Sequence, residues 1–261
     1  MIMKTKLFIF LFTILTAFSY STYGKANTVQ RTNSDSLLYN IQEKVYEAFM
    51  ASFQDNGITR LIETENQLKA FPVQNQITAY WIAYTKYYKA IYYLKFNDRK
   101  QSQKELESAI DLLEKVKNKN SEIYALLAFI QSFSTQFSGG MVAATLSAKV
   151  KKNAEQATAL DSTNLRAWYV LALNDYYTPL AFGGSKKCEK YLLKAISLNE
   201  QSIANHFMPS WGKSDAYHLL IGYYIDKEDY SKAKDYLNLA LSLYPDNYMI
   251  NQYVEMLKDK E

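Results

Sequence analysis

The side chains best suited to catalysis or metal binding are scarce in this sequence. His206 and His218 are its two histidines, and Cys188 is its single cysteine. No cysteine or cluster of acids stands beside either histidine at the spacing of metal ligands, which disfavours a zinc site. A single cysteine also excludes an internal disulfide, so we interpret Cys188 as a small buried apolar residue.

Two glycine pairs invite comparison with phosphate-binding loops. They are Gly139-Gly140 and Gly183-Gly184, and each lies between two helical patterns. Neither follows a strand, and neither has the spacing of a phosphate loop or of a nucleophile elbow. We interpret both pairs as helix caps. Anion binding at a helix start after Gly184, beside Lys186, stays open as an alternative.

The carboxylates do not form a catalytic pair either. They are scattered along helical faces beside lysines, as in Lys227-Glu228-Asp229, and this arrangement is typical of solvated surfaces with local ion pairs. General acid–base chemistry needs acids in an apolar setting. The sequence therefore predicts no catalytic residue, no metal site and no cofactor, and we expect the protein not to be an enzyme.

Tyrosine is the unusual component, with 23 residues in a chain of 261. Its densest run spans residues 80–93, where Tyr80, Tyr84, Tyr87 and Tyr88 fall along one stripe of a helix. Such a stripe suits the recognition of peptides or sugars, which need stacking together with a hydroxyl group. Packing between neighbouring helices uses the same residues, and both interpretations stay open at this point.

The elements that must position these residues are helices. Hydrophobic residues make up 48% of the chain and charged residues 21%, which is a globular composition, and 8 glycines and 4 prolines are too few for an all-β protein. From residue 34 onward, apolar residues recur at the i, i+3, i+4 and i+7 positions of amphipathic helices, interrupted by short polar breaks. The pattern predicts eleven helices over residues 34–261.

Residues 214–247 contain the clearest internal repeat. Alanines and large apolar or aromatic residues recur there at fixed spacing: Tyr217, Leu220, Tyr224, Tyr230, Ala233, Leu237, Ala240 and Pro245. This pattern resembles the tetratricopeptide repeat, with the small departure that the glycine appears one residue late, as Gly222. Residues 165–199 resemble a second copy whose turn is longer by four residues.

The resemblance implies an all-α fold, an α-solenoid of about five stacked helical hairpins with a capping helix at 246–259. In such solenoids the first helix of each hairpin lines a concave groove. Motif position then assigns six candidate groove residues: Phe129, Phe133, Tyr169, Tyr176, His218 and Ile225. For His218, a solvated surface imidazole is the alternative.

A narrower resemblance covers residues 120–247. The runs at residues 161–168 and 178–184, followed by Pro209-Ser-Trp211-Gly-Lys213, are similar to those of exported tetratricopeptide-like proteins of Bacteroidetes-type bacteria. This resemblance implies the fold and export of the protein, and it names no ligand.

The N-terminus predicts export independently. Lys4 and Lys6 precede twelve uncharged, mostly apolar residues, 7–18, which is the length of a signal-peptide core and well short of a membrane span. We predict a signal peptide at 1–24, a disordered lead-in at 25–33 and a periplasmic or cell-envelope location. The cleavage site stays open, and an uncleaved anchor is the alternative. Cleavage would lower the formal net charge from +4 to +2, which gives no electrostatic footprint for nucleic acid.

These observations predict a non-catalytic scaffold of the bacterial envelope that binds a protein or peptide through a Tyr-rich concave groove. A helical-repeat protein that binds a glycan or another small ligand is the alternative. A hydrolase with an unrecognised site is a further alternative, which would require a histidine within reach of a serine or a carboxylate. The identity of the partner and the oligomeric state do not follow from the sequence.

Overall fold

A computed structural model describes residues 37–200 and 206–260 of the chain. Within those ranges the protein forms eleven α-helices and no β-strand. The helices are α1 (Ile41–Gln54), α2 (Thr59–Lys69), α3 (Gln76–Lys95), α4 (Arg99–Lys115), α5 (Ser121–Ser134), α6 (Gly140–Leu160), α7 (Leu165–Tyr177), α8 (Cys188–Ser197), α9 (Lys213–Asp226), α10 (Tyr230–Leu243) and α11 (Tyr248–Leu257). Two short 3₁₀ turns, Thr135–Phe137 and Leu180–Phe182, follow α5 and α7. The predicted signal peptide at 1–24 and lead-in at 25–33 lie outside the described residues.

Consecutive helices pack as hairpins, and the hairpins stack. The five pairs run from α1–α2 to α9–α10, and each first helix also contacts the first helix of the next pair, ending with α11 against α9. This arrangement confirms the predicted all-α helical-repeat fold, with five hairpins and a final capping helix. None of the described helices is long and apolar enough to cross a membrane.

Small residues at the motif positions allow the helices of a hairpin to approach closely. Ala233 and Ala240 in α10 are fully buried, with Leu237 between them, and they face α9. Asparagine caps set the helix starts: the side chain of Asn164 accepts hydrogen bonds from the backbone N–H groups of Arg166 and Ala167. The chain turns just before the first of these helices, since Asn40 has a left-handed backbone (φ 52°) and α1 begins at Ile41.

The segment 206–212, which leads into α9, is tied to the other end of the solenoid. The Trp81 indole N–H donates to the Phe207 carbonyl at 2.9 Å, and Gln42 exchanges hydrogen bonds with the backbone and hydroxyl of Ser210. The Trp211 indole N–H donates to the Tyr80 hydroxyl at 2.7 Å. A part of the chain between the fourth and fifth hairpins thus packs against α1 and α3.

Candidate functional site

The first helices of the hairpins carry the predicted groove residues, and Trp211 packs against two of these residues. Its ring lies 4.8 Å from that of Phe129 and 6.4 Å from that of Tyr169, measured between centroids. Tyr169 is 2% exposed and Phe133 is 7% exposed, and Phe129 is half-buried. We therefore correct the expectation that Phe133 and Tyr169 line an open groove: aromatic packing, to which 206–212 contributes Trp211, encloses them.

The other three predicted groove residues lie on α7 and α9, the first helices of the fourth and fifth hairpins. The half-buried Tyr176 donates its hydroxyl to the Asp226 carboxylate at 2.5 Å, and Ile225 packs against the core. The His218 ring packs against that of Tyr253 in α11, tilted by 31°, with Nδ1 at 3.2 Å from the Met249 carbonyl. Burial lowers the pKa of His218 to about 4, so the imidazole is neutral. Their assignment to a binding surface stays a prediction.

The tyrosine stripe of α3 is packed inside the protein. Tyr80, Tyr84 and Tyr87 are buried, and Tyr84 and Tyr88 share a hydroxyl–hydroxyl hydrogen bond of 3.3 Å. Burial raises the pKa of all four phenols, so they stay protonated. The packing interpretation of this run therefore accounts for Tyr80, Tyr84 and Tyr87, whereas Tyr88 keeps part of its surface open.

A groove of about 680 Å³ opens elsewhere, on the third and fourth hairpins. It lies between the first half of α6, the end of α7, the 3₁₀ turn at Leu180–Phe182 and the start of α8. Apolar and small side chains form most of its lining, among them Ala144, Ala148, Leu171 and Phe182. This volume is within the range of small-molecule sites in proteins, roughly 300–1,000 Å³.

The sequence of α6 explains why the groove is open. The helix buries only Val150, Ala154 and Ala157, all from its midpoint onward. Its first half presents a row of small residues to the groove: Gly140, Ala143, Ala144, Ser147 and Ala148. Side chains of this size leave a volume that leucines or aromatics would fill.

The opposite wall is a turn of fixed shape. Gly183 has a left-handed backbone (φ 85°), and a side chain on Gly184 would lie 1.8 Å from the Thr178 carbonyl oxygen. The Asp175 carboxylate accepts the backbone N–H groups of Lys187 and Cys188, both at 2.9 Å, and so caps α8. Gly183 is the left-handed cap of the 3₁₀ turn Leu180–Phe182, in agreement with the predicted role of this glycine pair as a cap.

Among the polar side chains that line the groove, two lysines and one acid set its charge. The Ser147 hydroxyl donates to the Asn174 side-chain oxygen at 2.9 Å, and Asp175 is occupied by the cap of α8. Lys151 and Lys187 are exposed and line the groove. Burial, together with the Asp226 carboxylate, raises the pKa of the Tyr177 phenol to about 12, so it is neutral at pH 7. The arrangement suits an apolar ligand with an acidic group.

Catalytic or metal-binding geometry does not accompany the groove. Over residues 37–200 and 206–260, no group of histidines, cysteines and acids is placed to hold a metal ion. His206 packs on Tyr39 with ring centroids 4.4 Å apart, and His218 lies against α11. Neither histidine is among the residues that line the groove.

Sequence reasoning missed the groove residues, although one signal pointed to them. The turn at 178–184, which flanks the groove, is the one in which the second repeat is longer than the motif it resembles. Extra length in a turn of a repeat protein places loops on one face, and that face is often used for binding. Motif position, by contrast, pointed to Phe133 and Tyr169, which are buried.

The fold defines a helical-repeat protein with one broad groove on its third and fourth hairpins. Among solved structures, the HusA haemophore from Porphyromonas gingivalis has a similar fold, with a TM-score of 0.53 and 19% sequence identity. The match covers 75% of this chain and 94% of that chain. At this identity the similarity shows the fold alone. No protein-family model matches the chain, and no curated protein matches it in sequence.

Proposed function

We propose that this protein is a non-catalytic binding protein that holds a small, largely apolar ligand with acidic groups in the groove between α6, α7 and α8. The observation that carries the proposal is the groove itself, about 680 Å³ in volume and lined by small and apolar side chains with Lys151 and Lys187 among them. A scaffold for a protein or peptide, as predicted from the sequence, has less support. Trp211 packs on Phe129 and Tyr169, which belong to the concave aromatic surface that would bind such a partner.

The side chains that line the groove indicate the kind of ligand that the groove would bind. Alanine and leucine side chains provide an apolar wall, and two ammonium groups can pair with carboxylates or phosphates. Ligand sites commonly combine such an apolar lining with a few polar groups that fix orientation. A flat apolar molecule with acidic substituents satisfies both features.

A tetrapyrrole is the first ligand to test, because the similar HusA structure is that of a haemophore. The groove lining contains no histidine, cysteine or methionine, and its phenols Tyr177 and Tyr191 both have raised pKa values, burial being the main cause. Neutral phenols are poor ligands for ferric iron. We therefore expect recognition through the ring and its carboxylates, and iron-free protoporphyrin should bind about as well as haem.

Filling the groove should abolish this binding. Ala144→Trp places an indole on an exposed helical position that lines the groove, and we expect it to weaken the affinity for iron-free protoporphyrin by about tenfold or more, equivalent to about 1.4 kcal/mol. Thr145→Trp is the matched control, since Thr145 is exposed on the same helix and does not line the groove. Titration followed by porphyrin fluorescence measures both. Equal loss in the two variants, or no binding by the wild type, would refute the proposal.

We also propose that the chain is exported, with residues 1–24 as a cleaved signal peptide and the domain starting near residue 34. The support is the positive, then apolar, pattern of residues 4–18. Replacing Leu11 and Leu15 by arginine should retain the full-length protein in the cytoplasm, because a signal-peptide core must be apolar. N-terminal sequencing of protein from the periplasmic fraction provides the measurement, and a mature protein that still begins at Met1 would contradict the proposal.

A further inference from the structure

Four large apolar side chains project into solvent at the mouth of the groove. Met141 and Val142 at the start of α6 are 86% and 63% exposed, and Leu180 and Phe182 in the facing turn are 71% and 76% exposed. We name these four residues the lip. Their segments belong together, since both supply the lining of one groove. Large apolar residues that are grouped and exposed in this way mark an interaction surface.

The two segments that carry the lip contain many more lysines than acids. The segments 138–153 and 178–191 contain one acid, Glu189, and six lysines: Lys149, Lys151, Lys152, Lys186, Lys187 and Lys190. All six lysines are exposed. The excess of positive charge in these two segments is greater than the formal net charge of the entire chain, +4. The remainder of the protein is therefore almost balanced in charge.

The exposed apolar residues at the C-terminal end of the solenoid lack this setting. In α11, Met249, Val254 and Met256 are also exposed, but the surrounding residues 246–261 contain four acids and two lysines. Exposed apolar side chains coincide with a positive surface at the lip and not at this end of the solenoid. Exposed apolar side chains together with lysines favour a partner that has an apolar interior and an anionic surface.

We propose that the lip docks the protein on an anionic lipid bilayer. The four apolar side chains enter the boundary between head groups and acyl chains, and the lysines around them contact lipid phosphates. Surface-bound proteins combine these two contributions, burial of apolar side chains and attraction of lysines to anionic lipid. A soluble protein partner would have to supply both an apolar pocket and an acidic rim, whereas an anionic bilayer presents both everywhere.

The position of the lip links docking to the groove. Phe182 belongs to the lip and also lines the groove, and the first turn of α6 carries Met141 and Val142 beside Gly140, which lines it. A docked protein therefore opens its groove toward the bilayer, so an apolar ligand can pass between the two without crossing water. This last step rests on the proposed ligand-binding function, whereas the docking itself does not.

Vesicle flotation with residues 25–261 tests the docking. We expect binding to vesicles of phosphatidylcholine mixed with phosphatidylglycerol that is about tenfold or more stronger than binding to phosphatidylcholine alone, and that weakens as salt is added. Met141→Ser/Leu180→Ser should reduce this binding by about tenfold or more. The matched control, Met249→Ser/Met256→Ser, also removes two exposed apolar side chains and should leave it unchanged.

A charge variant separates the two contributions. Lys149→Gln/Lys186→Gln/Lys190→Gln should remove the preference for phosphatidylglycerol, since each lysine near an anionic surface strengthens binding about fivefold. None of the substituted residues lines the groove, so porphyrin affinity in solution should not change. Failure of the proposed function would appear as vesicle binding without porphyrin binding.

Three outcomes would overturn the docking proposal. They are no flotation with either vesicle type, equal flotation with both types, and equal loss in the lip and control variants. The first outcome would assign the lip to a protein partner. Porphyrin binding without vesicle binding would likewise overturn the docking alone, so the two proposals fail independently.

Discussion

Arg166→Met should lower the free energy of unfolding by about 3–5 kcal/mol. The Arg166 side chain is fully buried at the start of α7, and its Nε and Nη2 groups donate to the two oxygens of Glu122 at 2.8 and 2.5 Å. Methionine fills a similar volume without a charge, which leaves the buried Glu122 carboxylate without its partner. The same substitution also removes the 3.1 Å hydrogen bond from Nη1 to the Trp211 carbonyl.

Urea unfolding of residues 25–261 at pH 7 measures this loss. Lys232→Met is the matched control, because Lys232 is half exposed and its ion pairs with Asp229 and Glu189 lie at the surface; it should cost less than about 1 kcal/mol. Glu122→Gln/Arg166→Met should recover part of the loss, since no charge then remains buried at the site. A change in Arg166→Met no larger than that of the control would show that the pair is dispensable.

Glu65→Gln should lower the free energy of unfolding by about 3 kcal/mol at pH 7 and by progressively less as the pH falls. Glu65 lies in a buried cluster of alternating charge with Lys86, Lys89 and Glu105, contributed by α2, α3 and α4. Both lysines contact both acids, at distances of 2.6–3.1 Å between nitrogen and oxygen. Removing one negative charge leaves two buried ammonium groups facing a single carboxylate.

The direction of the pH dependence follows from the pKa of Glu65. Burial alone would raise it, but hydrogen bonds from Lys69, Lys89 and Lys86 outweigh burial and lower the pKa from its ordinary 4.5 to about 2. A carboxyl whose pKa is depressed by folding stabilises the protein above its unfolded pKa. That stabilisation is lost as the pH falls from about 4.5 through about 2.

Stability measured in urea between pH 7 and pH 2 tests the cluster. The curve of the wild type should fall toward that of Glu65→Gln and meet it near pH 2. Glu255→Gln provides the comparison, because Glu255 is largely exposed and only pairs weakly with Lys258; it should follow the wild type throughout. Parallel curves for the wild type and Glu65→Gln would show that the cluster does not depress the Glu65 pKa.

The repeat geometry could be predicted from the sequence because it is local. In the predicted repeat at 214–247, Ala233, Leu237 and Ala240 are buried at the hairpin contact, and the helices α9 and α10 span this repeat. The same holds for α7 and α8 in the repeat at 165–199. Periodicity of 3.6 residues and small residues at close contacts are properties of neighbouring positions, which the sequence displays directly.

The contacts of 206–212 could not be predicted in this way. Trp81 meets Phe207 across 126 positions of the chain, and Gln42 meets Ser210 across 168. Such contacts depend on the overall curvature of the stack, which no periodic pattern states. For this reason Tyr169 and Phe133 matched the motif positions of a groove and are nevertheless enclosed.

The candidate site was only partly visible in the sequence. The lengthened turn at 178–184 marks where the chain departs from the repeat, and the glycine pairs at 139–140 and 183–184 were interpreted as helix caps. The segments around the two glycine pairs line the same groove because α6 packs against α7. This packing is a tertiary contact, which the sequence does not display. The lysines of the site belong to ordinary helical faces in the sequence, and only their placement around the groove distinguishes them.

Mapping of backbone amide shifts with iron-free protoporphyrin tests the central claim most directly. The groove predicts that the largest shifts fall on Ala143, Ala144, Ser147 and Asn174 in α6 and α7, and that Ala144→Trp removes them. Shifts confined to Tyr88, Phe129 and Trp211, on the concave aromatic surface, would contradict the assignment of the site to the groove.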